Sequence, residues 1–479
     1  MISKLKSIFF IIGDSKKYVM RILYVNNFRG FQETIIPLNK VNFLVGENSS
    51  GKTSILKLLK VISGEEFRYS LDFSSSVVDL GRFDDIVNKT DSSGKFFEIG
   101  MMMNANESFR MLSSENENDN KNLYFIKFLF KEIDEKIKLS ELRVRNRTYE
   151  SLIIYKDSVY QYVYKEIDEA SSESETPNNY TSDFYTWCTN PSTLSNRKRF
   201  SKTEDQHHYR SSYTRFVFMS IFYEISKKIK TKRKSNDQNY NGYDDFIYIM
   251  DSMLPPLKWI APIRAEPKRI YEHMETKDSI DGSHAPQVLR DILLGTNKKT
   301  LQKFKHFIDK FGANSHLYDE IRVKKFGSEK FAPFEIQVIL EGKAYAISSV
   351  GYGVSQVLPL LLEVFDEKNT WLAIQQPEVH LHPRAQAEFG ELLFNSANET
   401  DKTFFVETHS DFTLDRFRFC LSEQKDVKFE TQVLFFKRTD NKNTVEVIPI
   451  DSTGAYFNSS NDTSFRDFFI NESIKLLGI

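Results

Sequence analysis

Gly46-Glu47-Asn48-Ser49-Ser50-Gly51-Lys52-Thr53 satisfies the pattern G-x-x-x-x-G-K-[ST] at every fixed position. Ahead of it, Val41-Asn42-Phe43-Leu44-Val45 reads as a short buried strand, and behind it Ser54-Ile55-Leu56-Lys57-Leu58-Leu59-Lys60 has the apolar spacing of a helix. A glycine-rich turn in that context lets successive backbone N–H groups close around phosphate oxygens, and the helix adds the positive end of its dipole. The stretch therefore predicts a nucleotide-binding loop, with ATP and Mg²⁺ as its ligands. Gly46, Asn48, Ser49, Ser50, Gly51 and Ser54 are the expected cradle. Lys52 is expected on the β- and γ-phosphates, and Thr53 offers its hydroxyl to Mg²⁺.

The 479 residues are too many for one simple core and predict two or three domains. Apolar residues make up 40% and charged residues 27%, a balance that suits a globular chain rather than a disordered one. Two cysteines, Cys188 and Cys420, cannot build a disulfide framework, and their scarcity predicts a reducing, cytoplasmic setting. No apolar run approaches the ~20 residues of a membrane span, so no membrane partner is expected. Residues 1–19 read as an extension ahead of the first clear strand, which opens at Met20. The net charge of −1 means that any attraction to nucleic acid must be local.

Arg21–Val25 and Glu33–Ile36 have extended patterns separated by the turn signals Asn26-Asn27 and Arg29-Gly30. Phe96–Met103, Leu123–Phe130 and Tyr149–Tyr155 predict strands of an antiparallel meander. Ser113–Asn122 and Glu169–Asn179 are low in complexity and predict solvated loops. Arg197–Lys234 holds twelve Lys or Arg against three acids, with His207, His208, Tyr209 and Tyr213 interleaved, and Phe216–Lys234 predicts a helix. Such a cluster can neutralise phosphates of nucleic acid, or simply solvate a polar insertion. Lys258–Ala261 then predicts a strand, Gln287–Leu294 and Lys299–Phe311 predict helices, and Glu335–Ile347 predicts a hairpin.

In the second half, Ser348-Ser349-Val350-Gly351-Tyr352-Gly353-Val354-Ser355-Gln356 precedes an apolar helix expected over Val357–Val364. Small residues there leave backbone N–H groups able to meet an anion. Ser349, Gly351, Gly353, Ser355 and Gln356 are the nucleotide-contact candidates. Trp371–Ile374 predicts a buried strand running into Gln375-Gln376-Pro377-Glu378-Val379-His380-Leu381-His382-Pro383. Another strand, Thr403–Glu407, runs into Thr408-His409-Ser410-Asp411. His380 and His382 lie two apart with no cysteine or third ligand nearby, a pattern that favours packing over zinc.

Taken in order, these stretches resemble the ABC-type ATPase heads related to RecF, SMC and OLD proteins. Phe28-Arg29-Gly30-Phe31 falls on the opening hairpin of that family, V-G-Y-G-V-S-Q resembles a variant of its signature motif, and the run from Trp371 to Pro383 resembles its Walker B and D-loop. The resemblance leaves the signature serine open between Ser349 and Ser355. It puts Gln375 where the Mg²⁺-linked acid belongs and Gln376 where the catalytic glutamate belongs; neither is a carboxylate, and an amide cannot act as a base. Glu378 is the acid left in the run. His409 corresponds to the switch histidine that contacts the γ-phosphate. Arg264, Arg416 and Arg418 are secondary candidates for phosphate or inter-subunit contacts.

The fold implied is α/β, an ABC-type head with a mixed sheet core, an antiparallel β-meander and a charged, partly helical insertion. Its expected division is 20–110, 111–256 and 257–479. The motif set A-P-I-R-A-E-P-K-R, V-G-Y-G-V-S-Q, Q-P-E-V-H-L-H-P and E-T-H-S resembles most the ATPase subunits of two-gene bacterial antiphage systems, Septu and its retron relatives first, with PARIS as a neighbour. That implies an ATP-dependent sensor or scaffold, a homodimer or larger assembly, and a separate HNH or Toprim nuclease partner. The competing expectation is a RecF- or SMC-like repair ATPase acting on DNA directly. The chain is not expected to be a nuclease itself, because about sixty residues follow Phe419 and no HNH or PD-(D/E)-x-K cluster is seen.

If the Arg197–Lys234 cluster binds duplex DNA, affinity should fall with salt by a slope of about −0.9 per phosphate contact. Replacing Lys227, Lys228, Lys230 and Lys232 with Ser should flatten that slope in a filter-binding titration; an unchanged slope assigns the cluster to solvation.

Overall fold

The computed structural model describes residues 21–457 apart from 72, 74–77, 90–94, 105–122, 147, 157–158, 168–176, 193, 195–200, 203–213, 234–249, 251–252, 273–278, 330, 367–370, 425–426, 428 and 440–441. In chain order its strands and longer helices are Arg21–Asn26 (β1), Thr34–Pro37 (β2), Val41–Gly46 (β3), Lys52–Ile62 (α1), Phe96–Asn104 (β4), Leu123–Ile133 (β5), Lys136–Arg145 (β6), Tyr149–Lys156 (β7), Val159–Glu166 (β8), Pro177–Thr189 (α2), Ser201–Lys202 (β9) and Thr214–Arg233 (α3). After these come Leu257–Ile260 (β10), Ala285–Leu293 (α4), Lys298–Ser315 (α5), Glu320–Lys325 (β11), Phe334–Leu340 (β12), Lys343–Ala346 (β13), Tyr352–Phe365 (α6), Trp371–Gln375 (β14), Pro383–Glu399 (α7), Thr403–Glu407 (β15), Asp411–Glu423 (α8), Thr431–Thr439 (β16) and Lys442–Ile450 (β17).

These elements fall into two compact units that interleave along the chain. One comprises 1–39, 47–255 and 436–447, the other 40–46, 256–435 and 448–479. The boundary expected near residue 110 falls inside the first unit, because β4 and β5 on either side of it pair along their length, from Phe96 with Lys131 to Asn104 with Leu123.

The first unit is built on an eight-stranded sheet, ordered β2-β1-β4-β5-β6-β7-β8-β9 and antiparallel throughout. β6 and β8 were not anticipated; their Lys- and Tyr-rich alternation hides a strand whose one face is polar. One face of the sheet packs Ile22, Tyr24, Met102 and Phe125 against Tyr180, Phe184, Trp187 and Cys188 of α2. Pro177–Asn179, expected in a loop, open that helix; the rest of the Glu169 stretch and Ser113–Asn122 lie outside the described residues. Two buried cations tie down the helix end. Lys127 Nζ donates to the Cys188 carbonyl at 2.8 Å while pairing with Glu98 at 2.7 Å, and Arg143 donates to the carbonyls of Trp187 and Asn190. Cations there satisfy orphan carbonyls and oppose the negative end of the helix dipole. On the other face, Phe67, Phe73, Phe97, Phe128 and Phe130 form an edge-to-face aromatic cluster, with Phe73 and Phe130 centroids 4.6 Å apart.

The second unit centres on a six-stranded sheet ordered β10-β14-β15-β3-β16-β17, in which β10, β14, β15 and β3 run parallel. Parallel strands covered on both faces read as continuous apolar runs, and Trp371–Ile374 and Phe404–Val406 are buried at every position. α7 and α8 press on one face, where Phe43 meets Phe417 edge-to-face at 5.1 Å and Phe394 meets Phe417 at 5.7 Å. A three-stranded antiparallel sheet, β11-β12-β13, extends the expected hairpin by one strand, whose alternating charges conceal it in the sequence.

α7 and α8 touch at a glycine. A Cβ at Gly390 would come within 2.1 Å of the Thr413 carbonyl, a backbone atom that cannot swing aside. Gly390→Ala should therefore part the two helices and lower stability by about 2 kcal/mol, the usual cost of overpacking. The expected readout is an earlier chemical-denaturation midpoint at unchanged slope.

Candidate functional site

The loop after β3 is bent by residues in the left-handed region: Gly46 at φ 140°, Ser49 at 62° and Gly51 at 101°. Ser50 and Lys52 are buried and share one acceptor. Ser50 Oγ donates to the Glu47 carbonyl at 2.7 Å and Lys52 Nζ to the same oxygen at 2.8 Å, which curls the loop. Asn48 and Ser49 are exposed at its crest, while Thr53 and Ser54 are half-buried in the first turn of α1. Gly51 is required twice over. Its φ suits glycine, and a Cβ would lie 2.5 Å from the Phe31 ring and 2.9 Å from Asn443 Nδ2. The F-R-G-F turn thus braces the loop. Arg29 donates to Ser54 Oγ at 2.7 Å and to the Leu80 carbonyl at 3.2 Å, and Asn443 N donates to the Gly30 carbonyl at 2.7 Å. Ser54, expected on the nucleotide, is in this structure an acceptor for Arg29, which the sequence reading placed on the opening hairpin without giving it a partner.

Within the second unit, β14, β15 and β3 end together: Gln375 is opposite Glu407, and Glu407 is opposite Leu44. Gln376 N donates to the Glu407 carbonyl and Thr408 N to the Leu44 carbonyl, which carries the ladder past the strand ends. Trp259 on β10 donates its indole N–H to Gln375 Oε1 at 3.0 Å, and Gln375 Nε2 donates to Glu407 Oε2 at 2.6 Å, all three buried. An indole can only donate, so it fixes which end of the amide faces it. The Gln375 amide, where the Mg²⁺-linked acid was expected, has its oxygen turned toward Trp259 and its NH₂ toward Glu407.

Gln376 has φ 44°, a strained conformation for a residue with a side chain. Glu378 is clamped from both sides, accepting from Thr408 Oγ1 at 2.8 Å and from the His409 backbone N–H at 2.7 Å. The His409 residue is exposed beyond that clamp. Arg264 is buried and donates through Nη2 to the Gln375 and Gln376 carbonyls at 3.1 and 3.2 Å; its Nε and Nη1 have no hydrogen-bond partner among the described residues. Burial pushes its pKa down to about 10 against the opposing pull of Glu378, so the guanidinium stays charged at neutral pH.

The glycine-rich segment differs from expectation in where its helix begins. A 3₁₀ turn at Ile347–Ser349 leads to Gly351 as the N-cap, and α6 starts at Tyr352, five residues before Val357. Gly353, Ser355 and Gln356 are thus helical. Ser355 and Gln356 are buried, and Ser355 Oγ donates to the Tyr352 carbonyl at 2.9 Å. Of the two serines, Ser349 is the exposed one, beside exposed Gly351. A Cβ at Gly353 would sit 3.0 Å from the His380 carbonyl, so this glycine lets the segment abut the loop after β14. His380 lies under Tyr352, with ring centroids 5.7 Å apart, and His382 caps α7 by accepting from Arg384 N. The described residues contain no group of three or more His, Cys, Asp or Glu able to hold a metal. Arg416 pairs with Glu391, and Arg418 pairs with Asp415 and lies 3.8 Å over the Tyr456 ring, so both serve the local fold. Of the Arg197–Lys234 cluster, 197–200, 203–213 and 234 lie outside the described residues; Lys227 and Lys228 are exposed on α3.

The AAA ATPase domain family matches residues 20–414. No curated protein matches the sequence. Among solved structures, the chain is similar to an Smc head bound to the C-terminal winged-helix domain of ScpA (11% identity, 91% of this chain and 98% of that one, TM-score 0.40). It is also similar to the SMC head domain from Thermotoga maritima (11%, 90% and 99%, TM-score 0.36) and to the Pyrococcus furiosus Smc head domain with an extended coiled coil (12%, 96% and 100%, TM-score 0.39).

Lys52→Ala removes the cation that the loop has curled around, and should abolish ATP binding. Gly51→Ala should weaken it more than tenfold by driving a methyl into Phe31. Isothermal calorimetry reads both, and wild-type affinity in either variant would overturn the loop assignment.

Proposed function

The chain belongs to the AAA ATPase domain family, and from that premise we propose that it is an ATP-dependent scaffold that assembles with copies of itself and controls a separate nuclease. Its fold is that of a P-loop ATPase of the ABC type, α/β with a mixed sheet core and an antiparallel meander. The observation that carries the reading is the end of β14. Gln375 and Gln376 occupy the positions of the usual acids, the first amide is turned toward Trp259, and Glu378 is held by Thr408 and the His409 N–H. A site so furnished binds nucleotide and turns it over slowly, so ATP acts chiefly as a ligand that joins subunits.

The donors present suit the expected ligands. Gly51 takes a backbone conformation that suits glycine and packs on Phe31 where any Cβ would collide, which leaves the loop its tight turn, and Mg²⁺, a hard cation, would take the Thr53 hydroxyl as an oxygen donor. When bound, Mg²⁺ would neutralise phosphate charge. Lys52 would exchange the Glu47 carbonyl for phosphate oxygens, and His409 would meet the γ-phosphate. Across the subunit junction, the exposed Ser349 and Gly351 and the first-turn amides of α6 would meet a neighbour's nucleotide. Nuclease control in antiphage defence is supported by the resemblance of the motif set. The partner would be an HNH or Toprim enzyme.

Turnover should fall far below the ~10 s⁻¹ of a typical enzyme, and light scattering should show a dimer or larger species with ATP. A strict monomer with ATP bound, or rapid turnover abolished by Glu378→Gln, would overturn the proposal.

A further inference from the structure

We propose that α8 carries a self-complementary face on which a second copy of this chain docks, antiparallel and about a two-fold axis, with no nucleotide required. The helix buries Thr413, Leu414, Phe417 and Leu421 on one side, yet Phe412 and Phe419 stand on the other, 53% and 57% exposed. Single exposed apolar residues are ordinary. Two phenylalanines seven residues apart form a stripe, because seven residues bring a helix back to the same face about 10 Å further along its axis. Between them on that face lie Asp415 and Arg416, both partly exposed. Aromatic side chains and arginine are the types that interfaces favour over ordinary surface.

The order Phe412, Asp415, Arg416, Phe419 reads alike in both directions except that the charge changes sign at its centre, and a two-fold interface requires that pattern. Turned antiparallel about a point between 415 and 416, two such helices set Phe412 against Phe419 of the partner subunit and Asp415 against Arg416 of the partner subunit, each pair occurring twice. A parallel pairing would instead set like charges together. Asp415 accepts from Arg418 at 2.8 Å and Arg416 donates to Glu391 at 3.0 Å within their own chain, so the interface asks no new bond of them; their signs decide orientation, and the phenylalanines supply the buried area. Glu423, exposed in the last turn, then comes to the N-terminal end of the partner's α8, where the helix dipole favours an acid. The 13 residues of α8 span about 20 Å. A face of that length falls below the ~1,200 Å² of the smallest stable interfaces, so the contact is weak and concentration-dependent by itself. It goes beyond the nucleotide-joined contact proposed above, and chains joined in both ways would extend past a dimer.

The test is disulfide formation between full-length chains that carry Cys420→Ser, with Cys188 left in place because it is buried. Phe412→Cys and Phe419→Cys chains are oxidised with copper phenanthroline, each alone and as an equal mixture, without ATP, and cross-linked dimer is read on non-reducing gels. The mixture should give at least about fivefold more dimer than either variant alone. Positions 412 and 419 meet only each other in the antiparallel pair, and identical positions stay about 10 Å apart, beyond disulfide reach. Sedimentation velocity then follows association over a wide concentration range in Lys52→Ala chains, where nucleotide-joined assembly is lost. Association should persist there, and Phe412→Ser with Phe419→Ser should weaken it at least about tenfold. Thermal melting checks that each variant is folded; both replaced side chains are more than half exposed, so the core keeps its packing. Equal cross-linking in all three samples, cross-linking in none, or a strict monomer at every concentration would overturn the proposal. Loss of association only when ATP is withheld would overturn it too, while leaving the nucleotide-joined contact standing.

Discussion

The register of three parallel strands is the constraint on which the rest depends. Because Gln375, Glu407 and Leu44 are bonded side by side, the chain leaves the sheet at one level three times, each time into a loop carrying polar groups. A one-residue slip of β15 would turn its buried side chains to the opposite face and break the Trp259–Gln375–Glu407 chain as well as the Thr408–Glu378 bond. That register is held by the apolar pleat itself, Phe43 against Phe417 on one face and Trp371 against Phe405 on the other. Hydrophobic packing thus fixes chemistry that it does not touch.

Glycine plays a second, more local part. At Gly51 the backbone must adopt φ 101° against the Phe31 ring, at Gly353 it must abut the His380 carbonyl, and at Gly390 it must meet the Thr413 carbonyl. Each is a point where two segments approach more closely than a methyl allows. Two of the three lie in segments expected to meet nucleotide, and the third joins the helices that follow β14 and β15.

Polar burial follows the same economy. Arg264 holds the carbonyls of Gln375 and Gln376 and leaves two of its nitrogens without a partner among the described residues. In the first unit, Lys127 and Arg143 find carbonyl and carboxylate partners and serve to fasten α2, though Arg143 too leaves its Nε without a partner among the described residues. Buried cations of similar exposure thus do different work.

By itself the sequence determined the phosphate loop, the parallel strands and the order of motifs, because these depend on local patterns: apolar runs of strand length, a helix period, and glycines at fixed spacing. Its resemblance to ABC-type heads implied that Gln375 and Gln376 stand where acids were expected. It did not reveal β6, β8 or β11, whose polar faces mask their alternation, nor the early start of α6, where Gly353 tolerates helix in spite of its low propensity. Only the tertiary structure decided which way the Gln375 amide points, that Glu407 lies beside it, that Arg29 reaches Ser54, and that Glu378 is clamped by Thr408 and the His409 N–H. Those are contacts between residues 25 to 116 positions apart, set by strand register and burial, and no local pattern in the chain encodes them.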